Sequence, residues 1–146
     1  MTGYGNILVK GFPYLLMAKM KEGMKILVAY DGSSHADNAL KETVDIAKKF
    51  NASIDVVHCR WEESEEESMS LLKTKEALLK ESGVKYKLRS EITQNVGARV
   101  LKIANGEGFG LIAMGTRGMG LAKAMILGSV SSKVTEGASC PVLVTK

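Results

Sequence analysis

The chain has 146 residues, enough for one domain with one sizeable core. Its net charge of +4 is mild, and residues 1–23 carry +2 of it through Lys10, Lys19 and Lys21 against Glu22, so the remaining +2 makes no strong case for nucleic acid. Two cysteines, Cys59 and Cys140, are too few for a disulfide scaffold and fit a reducing, cytoplasmic compartment.

The first 23 residues read as an extension outside the core. Asn6–Ala18 is apolar but short, Pro13 interrupts it, and it falls below the roughly 18–20 residues that span a membrane. No small-x-small cleavage site marks a signal peptide. Met20 and Met24 are alternative starts, and Met24 opens the first core strand directly. A short strand at Ile7–Val9 could pair locally. The core domain is expected at residues 24–146, where strand and helix alternate. Lys25–Tyr30 is an apolar strand. Ser34–Phe50 is a helix with Ala39, Thr43, Ala47 and Phe50 on one face, capped by Ser33 or Ser34. Ser53–His58 is the second strand. Five glutamates then crowd positions 62, 63, 65, 66 and 67, as in a solvated loop or the acidic first turn of a helix. That helix is expected to run to about Glu81, with Met69, Leu72 and Leu79 on one side and Gly83 as its stop.

Val84–Ser90 alternates apolar Val84, Tyr86 and Leu88 with Lys85, Lys87 and Arg89, the pattern of a half-exposed strand near a sheet edge. Val96, Val100, Ile103 and Ala104 mark a third helix. Gly110–Met114 is the fourth strand, Ser129–Glu136 the last helix and Pro141–Thr145 the last strand. Five strands joined by helical crossovers predict an α/β fold, a doubly wound parallel sheet with helices on both faces. Ligands of such sheets bind beyond the carboxyl ends of the strands, where strand order reverses.

Between the fourth strand and the last helix lies a glycine-serine track, G-T-R-G-M-G-L-A-K-A-M-I-L-G-S-V-S, from Gly115 to Ser131. A strand, a glycine-rich loop and a helix N-terminus favour phosphate through free N–H groups and the helix dipole. The track has neither the G-x-x-x-x-G-K-[ST] nor the G-x-G-x-x-G pattern. Its spacing, G-x-x-G-x9-G-[ST], resembles the nucleotide loop of the universal stress protein family. "MKILVAYDGSSHADNAL" at Met24–Leu40, "ASIDVVHCR" at Ala52–Arg60 and "SCPVLVTK" at Ser139–Lys146 resemble that family's opening, second and closing strands. The resemblance covers about Met24 to Lys146. It implies an adenine nucleotide alpha hydrolase-like sheet of strand order 3-2-1-4-5, with strands 1 and 4 side by side at the crevice.

Asp31 follows the first strand, where a carboxylate could accept both ribose hydroxyls or simply serve an Asp-Gly-Ser turn. The resemblance places it at the ribose and places Ala29 in the adenine pocket. It puts Cys59 where backbone groups contact adenine, so the thiol itself does nothing. Gly115, Gly118, Gly128, Ser129, Val130 and Ser131 would form the phosphate cradle, although Ser129 and Ser131 also suit simple helix capping. Arg117 and Lys123 could reach outer phosphates or stay solvated. His35, in D-G-S-S-H-A-D, reads as a first-turn surface residue rather than part of a triad, because neighbouring residues at a helix start point in different directions. His58 has no second ligand at metal-binding spacing. Met114, Met119 and Met125 read as packing.

Two positions depart from the family pattern. Thr93-Gln94-Asn95-Val96 stands where a Gly-x-Pro is usual, so the third helix start is expected to shift, and Gly110 stands where Asp is common. The acidic run would lie near the crevice mouth, repelling free nucleotide or holding a divalent metal. The resemblance implies a protein that binds ATP or AMP, with Mg²⁺ or Mn²⁺ bridging the phosphates, as a switch or sensor in stress response. No residue stands out as a base that would activate water, so any ATP hydrolysis is expected to be slow or to need a partner. A homodimer would pair Val142–Thr145 antiparallel across a two-fold axis, since that edge is short, apolar and expected to be unprotected. Two other readings stay open: a nucleotide hydrolase on the same sheet, and an interaction module with an unoccupied loop. No nucleic acid or membrane partner is expected.

Overall fold

The computed structural model describes residues 2–4, 7–9, 20–116 and 127–146. The strands are β1 (Thr2–Tyr4), β2 (Ile7–Val9), β3 (Lys25–Ala29), β4 (Ser53–Arg60), β5 (Tyr86–Ile92), β6 (Leu111–Gly115) and β7 (Val142–Thr145). The helices among the described residues are α1 (Ser34–Phe50), α2 (Glu65–Lys73), α3 (Glu76–Ser82), α4 (Val96–Gly106) and α5 (Ser129–Gly137). The sheet order is β1-β2-β7-β6-β3-β4-β5. The five strands from β3 onward pair parallel, and counted alone they give the expected order 3-2-1-4-5.

Central strands are apolar throughout because both faces are covered. Ile26 and Val28 of β3 join Leu40, Val44, Leu72 and Leu79 in one layer with α1, α2 and α3. Leu27 joins Val100, Ile103, Ile112 and Val134 in the other, with α4 and α5. On α1, Ala39, Thr43 and Ala47 are buried as their spacing predicts, while Phe50 is half-buried. Ser33 is its cap, accepting from the Ala36 N–H at 3.1 Å.

The structure corrects three local expectations and bears out, for Glu65–Glu67, the helical first turn read for the acidic run. The single helix to Glu81 is two, α2 and α3, because both the N–H and the hydroxyl of Thr74 turn back onto the Leu71 carbonyl and tighten the chain there. β5 starts two residues later than the pattern suggested. Gly83 takes φ +72° and the Ser82 hydroxyl holds the Val84 N–H at 3.2 Å, which keeps Val84 in the turn. The acidic run divides, with Glu65–Glu67 forming the first turn of α2 and Ser64 and Glu67 closing a capping box. Finally, the β7 edge is not unprotected: β2 pairs with it antiparallel, Ile7 opposite Thr145, Leu8 opposite Val144 and Val9 opposite Leu143.

The opposite edge strand, β5, is guarded by charge. Arg89 reaches Asp55 at 3.4 Å, Glu91 at 3.2 Å and Glu107 at 2.7 Å, and Arg99 also pairs with Glu91. These bonds tie the strand to α4 and leave little for another chain to pair with. α4 begins at Val96 with Asn95 as cap, its side chain accepting from the Ala98 N–H at 3.1 Å.

Candidate functional site

β3 and β6 lie side by side, and the chain leaves them toward opposite sides of the sheet. At their carboxyl ends is a cavity of about 400 Å³. Ala29, Val57, Cys59, Val96 and Met114 give it an apolar wall. Asp31, His58 and Glu63 give it polar groups, and Gly115, Thr116 and Gly128–Ser131 bring the strand end and the start of α5 to it. Eight of the ten predicted site residues line this one cavity: Ala29, Asp31, Cys59, Gly115, Gly128, Ser129, Val130 and Ser131. Arg117 and Gly118 lie outside the described residues, as do Met119, Lys123 and Met125.

The start of α5 presents open backbone donors. Gly128 caps it in an extended conformation and no side chain caps the first turn. The N–H groups of Ser129, Val130 and Ser131 therefore have no partner among the described residues. Unsatisfied first-turn N–H groups and the helix dipole together attract an anion. The cap itself is pinned. The Gly128 N–H donates to the Thr116 carbonyl at 2.7 Å, and the Ser131 hydroxyl donates to the same carbonyl at 2.9 Å and to Gly128 at 3.1 Å. The buried Ser131 hydroxyl therefore staples the strand end to the helix start, and its N–H stays open toward the cavity. Ser129, by contrast, is exposed.

Asp31 takes the turn role weighed for it. One oxygen accepts the Ser33 N–H at 3.0 Å, an Asx turn that fixes the side chain, while the exposed carboxylate still lines the cavity. Gly32, at φ +84°, supplies the left-handed conformation of that turn. Gly115 is needed for a close approach, since a Cβ there would lie 2.6 Å from the Cβ of His35 and 2.9 Å from its carbonyl carbon.

The chain also matches the sequence profile of the universal stress protein family over residues 24–81 and 60–146. It belongs to that family. A universal stress protein of Thermus aquaticus is 34% identical over 135 residues, covering 83% of this chain and 97% of its own. Among solved structures, a universal stress protein in complex with cAMP superposes with a TM-score of 0.70 at 18% identity, covering 84% of this chain and 97% of that one. The Archaeoglobus fulgidus universal stress protein in complex with dAMP gives 0.66 at 17% identity, covering 87% and 99%. At such identities the superpositions show the shared fold.

In this universal stress protein the sequence reading missed Thr116, which lines the cavity, and its partners His35 and Thr145. His35 is half-buried rather than a surface residue, and its Nδ1 lies 2.8 Å from the Thr116 hydroxyl. Thr116 is buried and its N–H donates to the Thr145 carbonyl at 2.7 Å, while the Thr145 hydroxyl donates to the His35 carbonyl at 3.1 Å. His35, Thr116 and Thr145 thus form a closed ring at the end of β6, beside the α5 cap. Glu63 is the member of the acidic run that lines the cavity. Its carboxylate is held by backbone hydrogen bonds, from its own N–H and that of Trp61, below the usual glutamate range.

Burial sets the protonation of the inner wall. It pushes the His58 imidazole below its ordinary value, and Nδ1 lies 2.7 Å from the Ser68 hydroxyl. It pushes the Cys59 thiol up to about 11, so this sulfur is protonated and unreactive at neutral pH. Behind the cavity the Tyr30 hydroxyl donates to Asp37 at 2.7 Å, and Lys75 pairs with the same carboxylate at 2.8 Å. Burial alone would raise Asp37, but these hydrogen bonds outweigh it and hold the carboxyl below the usual range. The described lining carries Asp31 and Glu63 and neither lysine nor arginine. No helix among the described residues is long and apolar enough to cross a membrane.

Proposed function

We propose that the cavity binds an adenine nucleotide, ATP or AMP, and that the protein acts as a nucleotide-responsive switch in a cytoplasmic stress response. The observation that carries this reading is the meeting of Asp31 and the uncapped start of α5 in one cavity, with an apolar wall between them. An apolar wall suits a planar base, a carboxylate suits ribose hydroxyls, and free N–H groups suit phosphate. The cAMP and dAMP complexes of two proteins with this fold support the choice of adenine. Ala29 and Cys59 would flank the base, Asp31 would accept the ribose hydroxyls, and Gly115, Arg117, Gly118 and Gly128–Ser131 would cradle the phosphates.

No group of three His, Cys, Asp or Glu among the described residues is placed to hold a metal. Mg²⁺ or Mn²⁺ would therefore arrive with the phosphates and offset the charge of Asp31 and Glu63. The domain is taken as residues 24–146, with the preceding 23 as an addition to it. A homodimer through Val142–Thr145 requires that edge to be open, and β2 must leave it first.

The test is to denature the purified protein and identify any released small molecule by mass spectrometry, then to titrate the emptied protein with ATP and AMP in Mg²⁺. ATP or AMP near one per chain is expected. No binding at millimolar nucleotide would overturn the reading.

A further inference from the structure

β7 is buried on both faces, with Val142, Leu143, Val144 and Thr145 at 0, 4, 1 and 1% exposure. It carries no charge, whereas β5, at the far edge of the sheet, carries Lys87, Arg89 and Glu91. An uncharged apolar edge offers its free N–H and C=O groups to any strand that reaches it. Here the strand is β2, three residues long and backed only by the three residues of β1 among the described residues. A hairpin this short is marginal by itself and gains its order from the sheet it joins. Its hold on β7 is therefore exchangeable.

The strand that competes best is one matched to β7 in length and apolar character, arriving antiparallel as β2 does. The β7 of a second copy meets these terms, because an antiparallel pair about a two-fold axis is self-complementary. We propose that the β1–β2 hairpin is an intramolecular cap on the self-association edge, so that a capped monomer and a β7-paired dimer exclude one another. This rests on the reading of Val142–Thr145 as the homodimer surface. Anything that draws residues 2–9 away from β7 promotes the dimer. The apparent dimer association constant scales with the square of the uncapped fraction, because both chains must release the cap.

Leu8 and Val144 are direct antiparallel partners. Such Cα atoms lie roughly 4.5–5.5 Å apart, within disulfide range. The experiment uses the full chain carrying Leu8→Cys and Val144→Cys, with Cys59→Val and Cys140→Ser to remove the native thiols. After oxidation, an intrachain disulfide is expected, and the locked protein should sediment at the monomer mass of 15.7 kDa at every concentration. Reduction should restore a concentration-dependent dimer. An interchain disulfide, or none, would overturn the cap.

In a second arm, Leu8→Pro and Val9→Pro are made separately in the otherwise native chain. Adjacent strand residues turn their N–H groups to opposite neighbours, so one of the two prolines strikes the β7 ladder. That variant should dimerise with an apparent dissociation constant lower by about tenfold or more. If both variants keep the native circular dichroism spectrum and stay monomeric, β7 is not a self-association edge and the proposal fails. The first arm tests the cap and the second the edge beneath it, so the two failures are told apart. Neither readout involves nucleotide.

Discussion

Replacing Ser129 with proline separates what the backbone of the α5 N-terminus does from what its side chains do. Gly128 precedes it at φ −76° and ψ 174°, the extended conformation that a residue before proline prefers. Position 129 is the first helical residue, where the fixed φ of proline suits the helix and its missing N–H breaks no internal bond. Ser129 is exposed, so little packing is lost. Ser129→Pro should therefore fold normally, with stability unchanged or raised by up to about 1 kcal/mol through lost freedom in the unfolded chain. It deletes one of the three N–H groups offered to an anion. A hydrogen bond to a charged partner is worth roughly 1.5–3 kcal/mol, or roughly 10- to 150-fold in affinity. Ser129→Ala is the control, since it keeps the N–H and removes only the hydroxyl. Isothermal titration with ATP and AMP should show the full loss in Ser129→Pro and a smaller one in Ser129→Ala. Native affinity in a folded Ser129→Pro protein would refute the placing of phosphate at this helix start.

Two further outcomes are expected. Cys59→Val should bind nucleotide as the parent does, because the thiol only packs against the wall. Alkylation of Cys59 by iodoacetamide should be slow at pH 7 and climb toward its value of about 11, and fast labelling at neutral pH would contradict the burial that protects it. Asp37 is ionised more readily in the folded state than in the unfolded chain. Its contribution is therefore present above the ordinary value of 3.8 and is lost as pH falls through the depressed one. Thermal melts of the parent and Asp37→Asn should differ most at neutral pH and converge below the ordinary value. An offset that stays constant down to pH 3 would mean that the Tyr30–Asp37–Lys75 cluster is not what couples this group to folding.

Periodicity was enough to read the parallel sheet, because β3 and β6 are uninterrupted apolar runs and α1 repeats its small residues on one face. Spacing placed Asp31 and Gly115 at or just past strand ends, and the strand order that the family resemblance implied brought those ends to one crevice. Sequence order could not show Thr116 and His35 as partners, since they are 81 positions apart and neither type is unusual where it stands. The break between α2 and α3 was hidden for a similar reason. The helical pattern runs through it, and the break comes from Thr74, whose N–H and hydroxyl both turn back to Leu71. The filled β7 edge was hidden because β2 is three residues long and its pairing partner lies at the far end of the chain. Within the acidic run, five similar glutamates gave no sign that Glu63 alone would line the cavity while Glu67 closed a cap.

Thr116 links three elements through separate groups. Its N–H goes to β7, its carbonyl holds the α5 cap, and its hydroxyl meets His35 on α1. The first two are backbone bonds that any residue keeps. Only the hydroxyl can be removed without disturbing them, and Thr116→Val does so at nearly constant shape. Loss of one ordinary hydrogen bond costs about 0.5–1.5 kcal/mol, which in a domain of this size lowers the melting temperature by roughly 1–6 °C. Thr145→Val removes another bond of the same ring, the one to the His35 carbonyl, without touching the residue whose carbonyl holds the α5 cap. The two variants should melt at similar temperatures but differ in binding. Thr116→Val should weaken AMP binding severalfold, because Gly115–Thr116 is then less firmly seated beneath Gly128. Thr145→Val should bind AMP as the parent does. Equal affinities in both would mean that the ring stabilises the fold without positioning the loop. Unequal affinities make His35 and Thr116 positioning residues for the nucleotide, acting from behind the cradle.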